Sequence, residues 1–381
     1  MTPAPAIGAD PGNTDPLRPR GAVEARAPGK LILMGEHSAV YGEPALVAAL
    51  GMYLTVRMEP LSGSDQVAIH LPTFHHHEAT DWGTLRAVAE AEAERWAAFE
   101  ADPVATPFAA IGGAAGPDRL VRIALGEAAR RAFVALPGCR VEISGDLPSG
   151  SGFGSSAALA VGVLAACRAL GLSLSGAELE AAALDVERRQ HGRPSGVDTA
   201  TVLRGGVVWA ERSGAGDLAV RPARPDPEHL KRFRIVHTGA PAHSTGAIVD
   251  AVRGVVEAEG PHARARLARM GSTTREFRRV VEGGGSPGDA VRLIRAYQVD
   301  LTALGVVPER IADLVEQIER AAGAAKISGA GALAAEAPED AGAGSLLVYH
   351  PDPDWLAAWT PPEGVTAVDA ELGVPGVEAR G

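Results

Sequence analysis

The chain has 381 residues, 46% of them hydrophobic, 22% charged and only 4% aromatic, so it can bury a sizeable core built mainly from Ala, Val and Leu. Its formal net charge of −11 excludes a general nucleic-acid or anionic-membrane surface, because such partners are held by Lys and Arg. No 18-residue apolar run and no charged-then-apolar leader occurs, and Cys139 and Cys167 lack metal-ligand spacing. The expectation is a cytoplasmic protein with buried free thiols, binding neither membrane nor nucleic acid.

In chain order, residues 1–20 are rich in Pro, Gly and Asp without periodicity and read as a mobile tail. From Gly21 the pattern alternates and then becomes continuously apolar at Leu31–Met34, as in a strand with a covered face; Leu54–Met58 and Gln66–Leu71 read as its neighbours. His75, His76 and His77 are consecutive on an expected loop and point in different directions, with no Cys or second His pair to complete a tetrahedron; a solvated loop is expected there rather than a metal site. Composition favours helices over Trp82–Glu100 and Leu120–Leu136, followed by a half-buried strand from Cys139 to Ser144.

Asp146–Ala158, reading Asp-Leu-Pro-Ser-Gly-Ser-Gly-Phe-Gly-Ser-Ser-Ala-Ala, joins that strand to a helix marked by Ala160, Val163, Leu164 and Cys167 at i, i+3, i+4 and i+7. Gly150, Gly152 and Gly154 allow close backbone approach, and Ser155 and Ser156 fall where the new helix has unpaired N–H groups. Converging donors and the positive end of the helix dipole make such a turn a phosphate site. The Gly-Lys-Ser/Thr ending of a Walker loop is absent, and the segment lies too far along the chain for a dinucleotide fingerprint. Further on, Val207–Ala210, Leu218–Arg221 and Phe233–Thr238 read as short strands, and Thr238–Thr245 as a turn into a helix with Ile248, Val249, Val252, Val255 and Val256 on one face. Residues 262–322 read as three or four helical pieces broken at the glycines from Gly283, with Ile294, Tyr297, Leu301 and Leu304 as an apolar core stripe.

Three stretches resemble, in order and spacing, the GHMP kinases, most closely the mevalonate kinases. They are Ala27–Leu46 with its Gly-Glu-His-Ser-Ala-Val-Tyr-Gly core, Pro148–Ala157 with Phe153 in the usual Leu place, and His191–Asp198 followed by Gly205–Trp209. Thr238-Gly-Ala-Pro241 is similar to a further segment of those enzymes. The third family motif, normally Lys-Leu-Thr-Gly-Ala-Gly with more glycines and then a strand, falls at Lys326–Gly331, but Ala332–Gly344 intervenes before the strand that starts at Ser345. The resemblance implies an α+β fold of two domains with the nucleotide in the cleft between them. Residues 21–205 would form the N-terminal ATP-binding domain and residues 206–381 the C-terminal domain.

The same resemblance implies the chemistry. Gly150, Ser151, Gly152, Phe153, Gly154, Ser155 and Ser156 would cradle the phosphates of ATP, and Ser156 and Glu187 would hold Mg²⁺, for which a hydroxyl and a carboxylate are suitable hard ligands. Asp198 would receive the proton of the acceptor hydroxyl or orient it, with Lys30 as its partner stabilising charge on the transferring phosphoryl group. Glu36 and His37 would stand near the acceptor or position Lys30. The implied reaction is phosphorylation of the mevalonate 5-hydroxyl, with a homodimer left open as a partner state. Two other readings stay open: a sibling kinase acting on another alcohol or on phosphomevalonate, suggested by the altered third motif, and a ligand-sensing relative without turnover. Retention of Lys30, Ser156, Glu187 and Asp198 argues against the last.

Overall fold

The structure is a computed structural model and describes residues 21–106, 116–133, 136–148, 151–212, 217–336 and 341–381. The expected tail at 1–20 and the loop residue Gly150 lie outside the described residues.

Strand β1 (Val23–Met34) alternates buried and exposed residues in its first half and is buried almost continuously thereafter, matching its sequence pattern. It pairs antiparallel along its length with the 16-residue β2 (Ala45–Pro60), which pairs antiparallel with β5 (Cys139–Gly145) at its far end and with β6 (Val207–Arg212) at its near end. β3 (Gln66–Leu71) joins β5 in parallel and forms a hairpin with β4 (His76–Asp81), while β7 (Leu218–Ala223) pairs with β6. The C-terminal β12 (Glu378–Arg380) returns to the free edge of β1, so this eight-stranded sheet draws residues from both sides of position 205.

On one face lie α1 (Trp82–Ala101), α2 (Arg119–Arg131), α3 (Ser155–Leu170), α4 (Gly176–His191) and α5 (Val197–Arg204). The central helix α3 is buried on nearly all sides because it packs on β1 and β2 and is flanked by α2, α4 and α5. Its Val163, Leu164 and Cys167 belong to the core under the sheet; burying an apolar side chain of that size stabilises the fold by about 1.5–3 kcal/mol. Cys167 and Cys139 are unpaired and buried, and desolvation pushes the Cys139 thiol up to about 12 and the Cys167 thiol well above its ordinary value.

A second, all-antiparallel sheet has the order β11 (Thr366–Val368), β8 (Phe233–His237), β10 (Ser345–Tyr349), β9 (Ala324–Ser328). α9 (Pro287–Ala303) and α10 (Glu309–Arg320) cover β9, and the stripe Ile294, Tyr297, Leu301 and Leu304 is buried in this core, as its spacing requires. After the single turn α6 (Pro227–Leu230), α7 (Thr245–Glu259) and α8 (Pro261–Arg279) precede the break at 280–284, where Gly283 leaves the helical region. The architecture is the expected α+β arrangement of two sheets with a cleft between them.

The three histidines differ from expectation. His75 is a turn residue with φ +49, but His76 and His77 open β4, because the hairpin with β3 continues to the pairs Leu71 with His76 and His70 with His77. Among the described residues no helix is long and apolar enough to cross a membrane.

The burial of both thiols yields a direct test. Native protein should consume no thiol reagent on the time scale of free cysteine labelling, and two equivalents per chain after denaturation; prompt labelling of either residue in the native protein would contradict its placement.

Candidate active site

A cavity of about 990 Å³ between the sheets is lined by Lys30, Ser156, Glu187 and Asp198, and also by Glu36 and His37. Four separate elements deliver these groups. Lys30 comes from the middle of β1, Ser156 from the first turn of α3, Glu187 from the last turn of α4 and Asp198 from the first turn of α5.

The glycine-rich turn is seated on β1 and on the second sheet. The backbone N–H of Lys30 donates to the Phe153 carbonyl at 2.8 Å, and the Phe153 ring is turned into the core. Gly152 and Gly154 have φ of +82 and +74, and a Cβ at Gly154 would stand 2.6 Å from Cγ of Lys30. A side chain there is therefore excluded twice, by the left-handed backbone and by the lysine stem beneath it. Ser151 is buried, and Ser155 and Ser156 open α3, so the first N–H groups of that helix face the cavity without intrahelical acceptors.

Lys30 Nζ lies 3.1 Å from Asp198 Oδ2; the lysine side chain is 6% exposed and that of Asp198 34%, so the carboxylate is the member open to the cavity. Ser156 Oγ is 3.1 Å from His191 Nε2, which in turn is 3.8 Å from Glu187 Oε2. Glu187 is buried, and its Oε1 has no hydrogen-bond partner. Burial raises its pKa; His191 opposes that effect and the negative charge of Asp198 adds to it. α4 begins with a reciprocal capping box between Ser175 and Glu178 and is tied to α2 by Arg131, which bonds both Glu127 and Asp185. Glu187 and His191 are thus held on one face, four residues apart.

Glu36 and His37 sit in the turn after β1 and line the cavity with Lys30, whose charge acts on Glu36. Glu36 forms an ion pair with Lys326 of β9, both side chains fully buried. Burial raises the Glu36 pKa and lowers that of Lys326, each opposed by the other's charge. Tyr297 donates from its hydroxyl to the Glu36 carbonyl at 2.8 Å and is 3.0 Å from Ser38 Oγ. His37, at φ +57, lies 2.9 Å through Nε2 from the Ala330 carbonyl, so Nε2 carries the proton of that contact; burial pushes its pKa down, and the bond to Ala330 opposes that effect. Lys326, His191 and Tyr297 had no site role in the sequence reading. The available signal was Lys326 itself, a charge inside the apolar run Ala324–Ile327, since buried lysines require a partner.

Residues 119–206 match the family described as GHMP kinases N terminal domain. The sequence is 32% identical to the mevalonate kinase of Aeropyrum pernix over 318 residues, 82% of this chain and 86% of that relative. The chain belongs to the mevalonate kinase family of GHMP kinases. It is accordingly an ATP-dependent small-molecule kinase. Among solved structures, the Methanococcus jannaschii mevalonate kinase superposes with a TM-score of 0.69 at 18% identity, covering 92% of this chain and 98% of that one. The Lactococcus lactis galactokinase complexed with galactose also reaches 0.69, at 15% identity, covering 94% and 95%. Equal likeness to two kinases of different name means that the fold alone does not select the acceptor.

Within this family member, the Glu36–Lys326 pair should dominate the stability of the junction between the sheets. Lys326→Met is expected to lose about 3–5 kcal/mol in urea unfolding by leaving a buried carboxylate unpaired, and the double variant Glu36→Gln/Lys326→Met to recover part of it. Additive losses in the double-mutant cycle would show that the two residues are not coupled.

Proposed function

We propose that this chain transfers the γ-phosphoryl group of ATP to the 5-hydroxyl of mevalonate, releasing ADP and 5-phosphomevalonate. The observation that carries the reading is the Lys30–Asp198 pair at 3.1 Å, open to the cavity on the Asp198 side and adjoining the glycine-rich turn. The similarity to mevalonate kinases over most of the chain supports mevalonate as the acceptor.

In this reading the backbone N–H groups of the turn and of the α3 N-terminus receive the phosphates. Asp198 accepts the proton of the acceptor hydroxyl while the new O–P bond forms and the bond from the γ-phosphorus to the bridging oxygen breaks. Lys30 holds Asp198 and stabilises charge building on the phosphoryl oxygens. The donor set of Ser156 and Glu187 fits Mg²⁺, because Glu187 presents a buried carboxylate oxygen with no partner beside a serine hydroxyl. When bound there, that ion would neutralise phosphate charge. His191 positions Ser156 through the 3.1 Å contact with its hydroxyl. A cytoplasmic setting is consistent with two buried, unpaired cysteines.

Purified protein should release ADP in the presence of Mg²⁺ and mevalonate, and far more slowly with phosphomevalonate, galactose or homoserine. Asp198→Ala should lower kcat by about 10²–10⁴ and leave ATP binding close to that of the parent. Near-parental turnover in that variant would remove Asp198 from the reaction; silence with mevalonate beside turnover of another alcohol would reassign the acceptor. Ser156→Ala should act differently, raising the Mg²⁺ concentration needed for half-maximal rate more than it lowers the rate at saturation, and an unchanged Mg²⁺ dependence would exclude Ser156 as a ligand.

A further inference from the structure

Outside the cleft's reacting groups, the fold assembles a second set of ligating side chains. His76 and Glu78 are two residues apart on β4 and so project from the same face of that strand. Asp118 meets them from the N-cap position of α2. Each of the three offers one ligand atom, and these atoms all lie within 4.8 Å of one another.

The atoms are close, yet they do not satisfy each other. His76 Nε2 and Glu78 Oε2 are 3.8 Å apart, beyond hydrogen-bond distance, and both are shut off from solvent with no partner. An aspartate at a helix N-cap ordinarily accepts from the first free N–H groups of its helix, but the Asp118 side chain makes no capping bond. Among the described residues, Arg122 is the cation that stands against the cluster: its Nε is 3.7 Å from Glu78 Oε1 and its Nη1 3.7 Å from Asp118 Oδ2. It offsets part of the carboxylate charge without filling the lone pairs that face His76, and its own Nε is unpartnered.

We propose that His76, Glu78 and Asp118 bind a divalent first-row transition ion of the Zn²⁺ type. One imidazole nitrogen and two carboxylate oxygens form a set that suits such an ion, with a water completing the tetrahedron. Binding would satisfy the unpaired His76 and Glu78 atoms together and tie the β3–β4 hairpin to the start of α2. The neighbouring Thr73, Phe74 and Arg119 line the cavity wall, so the ion would brace that wall without entering the reaction.

The test uses full-length protein stripped with a chelator and titrated with Zn²⁺ by equilibrium dialysis in excess Mg²⁺. The expected result is one Zn²⁺ per chain, retained in Glu187→Gln and in His77→Ala, and weakened about tenfold or more in His76→Ala and in Glu78→Gln. Zn²⁺ should raise the thermal midpoint of the parent and not that of His76→Ala, whose metal-free circular dichroism should match the parent; if His76→Ala does not fold, Asp118→Asn carries the same comparison. Zn²⁺ uptake that survives unchanged in His76→Ala and Glu78→Gln, or no uptake by the parent at micromolar Zn²⁺, overturns the proposal and leaves a cluster that holds only water.

Discussion

Two opposite charges without access to water sit where the two sheets touch, and the geometry of the cleft follows from that contact. Lys326 and Ser328 are alternate residues of β9 and both face β1. Ser328 Oγ receives the Ile32 N–H at 3.1 Å and donates to the Ile32 carbonyl at 2.9 Å, while Lys326 pairs with Glu36 and donates to its neighbour's carbonyl, Ile327 O, at 2.9 Å. Neither charge could stay ionised alone at that depth, so the pair specifies one register of the second sheet against β1. Tyr297 adds a third element to the joint by holding the Glu36 carbonyl.

β1 therefore serves both halves of the cleft. Lys30 leaves it towards Asp198, and four residues past Ile32 the turn leads to Glu36 and its partner across the sheet junction. The glycine-rich turn is fitted between the same two supports. Its Phe153 carbonyl is bonded to β1, and a Cβ at Gly152 would come within 3.1 Å of the Ser328 carbonyl and 3.2 Å of Ser345 Oγ. The departure in the third motif does not remove this support. Ala332 and Ala334 donate to the carbonyls of Val306 and Gly305, and the far end of the insertion returns through Ala343, whose N–H meets Thr238 Oγ1 at 2.9 Å. Gly344, the last residue of that stretch, then lies against the Ser151 carbonyl, so the inserted residues end on the floor of the loop between Ser328 and Ser345.

What the sequence disclosed, and what it withheld, follows from range. The strand, glycine turn and helix from Cys139 to Leu170 were readable because alternation, left-handed glycines and a 3.6-residue stripe are all local. Lys30, Ser156, Glu187 and Asp198 were singled out by the resemblance to the GHMP kinases, and the structure brings all four to one cavity. The partner of Glu36 was not readable, since Lys326 lies 290 residues away and no periodicity reports a contact between sheets. His191 was visible only as the first residue of a motif, because its proximity to Ser156 depends on where α3 and α4 cross. Strands β4 and β12 were missed for a related reason. Their polar sequences, His76–Asp81 and Glu378–Arg380, lack apolar alternation, and they pair as edge strands on partners already formed.

The distribution of charge in the cavity bears on how an acidic chain would accept a polyanion on the proposed reading. Lys30 is shared with Asp198, and Glu187 stands close enough to Asp198 for the two carboxylates to repel each other. Three further cations, Arg119, Arg193 and Arg253, line the same cavity. On the proposed reading, the N–H groups of the turn and of α3 add partial positive charge without a counter-ion beside these side chains. On the same reading the unpartnered oxygen of Glu187 is where a cation would enter the cleft, because a buried carboxylate is costly to keep charged and alone. On that reading a net charge of −11 and a cleft for phosphates are compatible, because local cations and oriented backbone N–H groups face the cavity whatever the charge of the remaining surface.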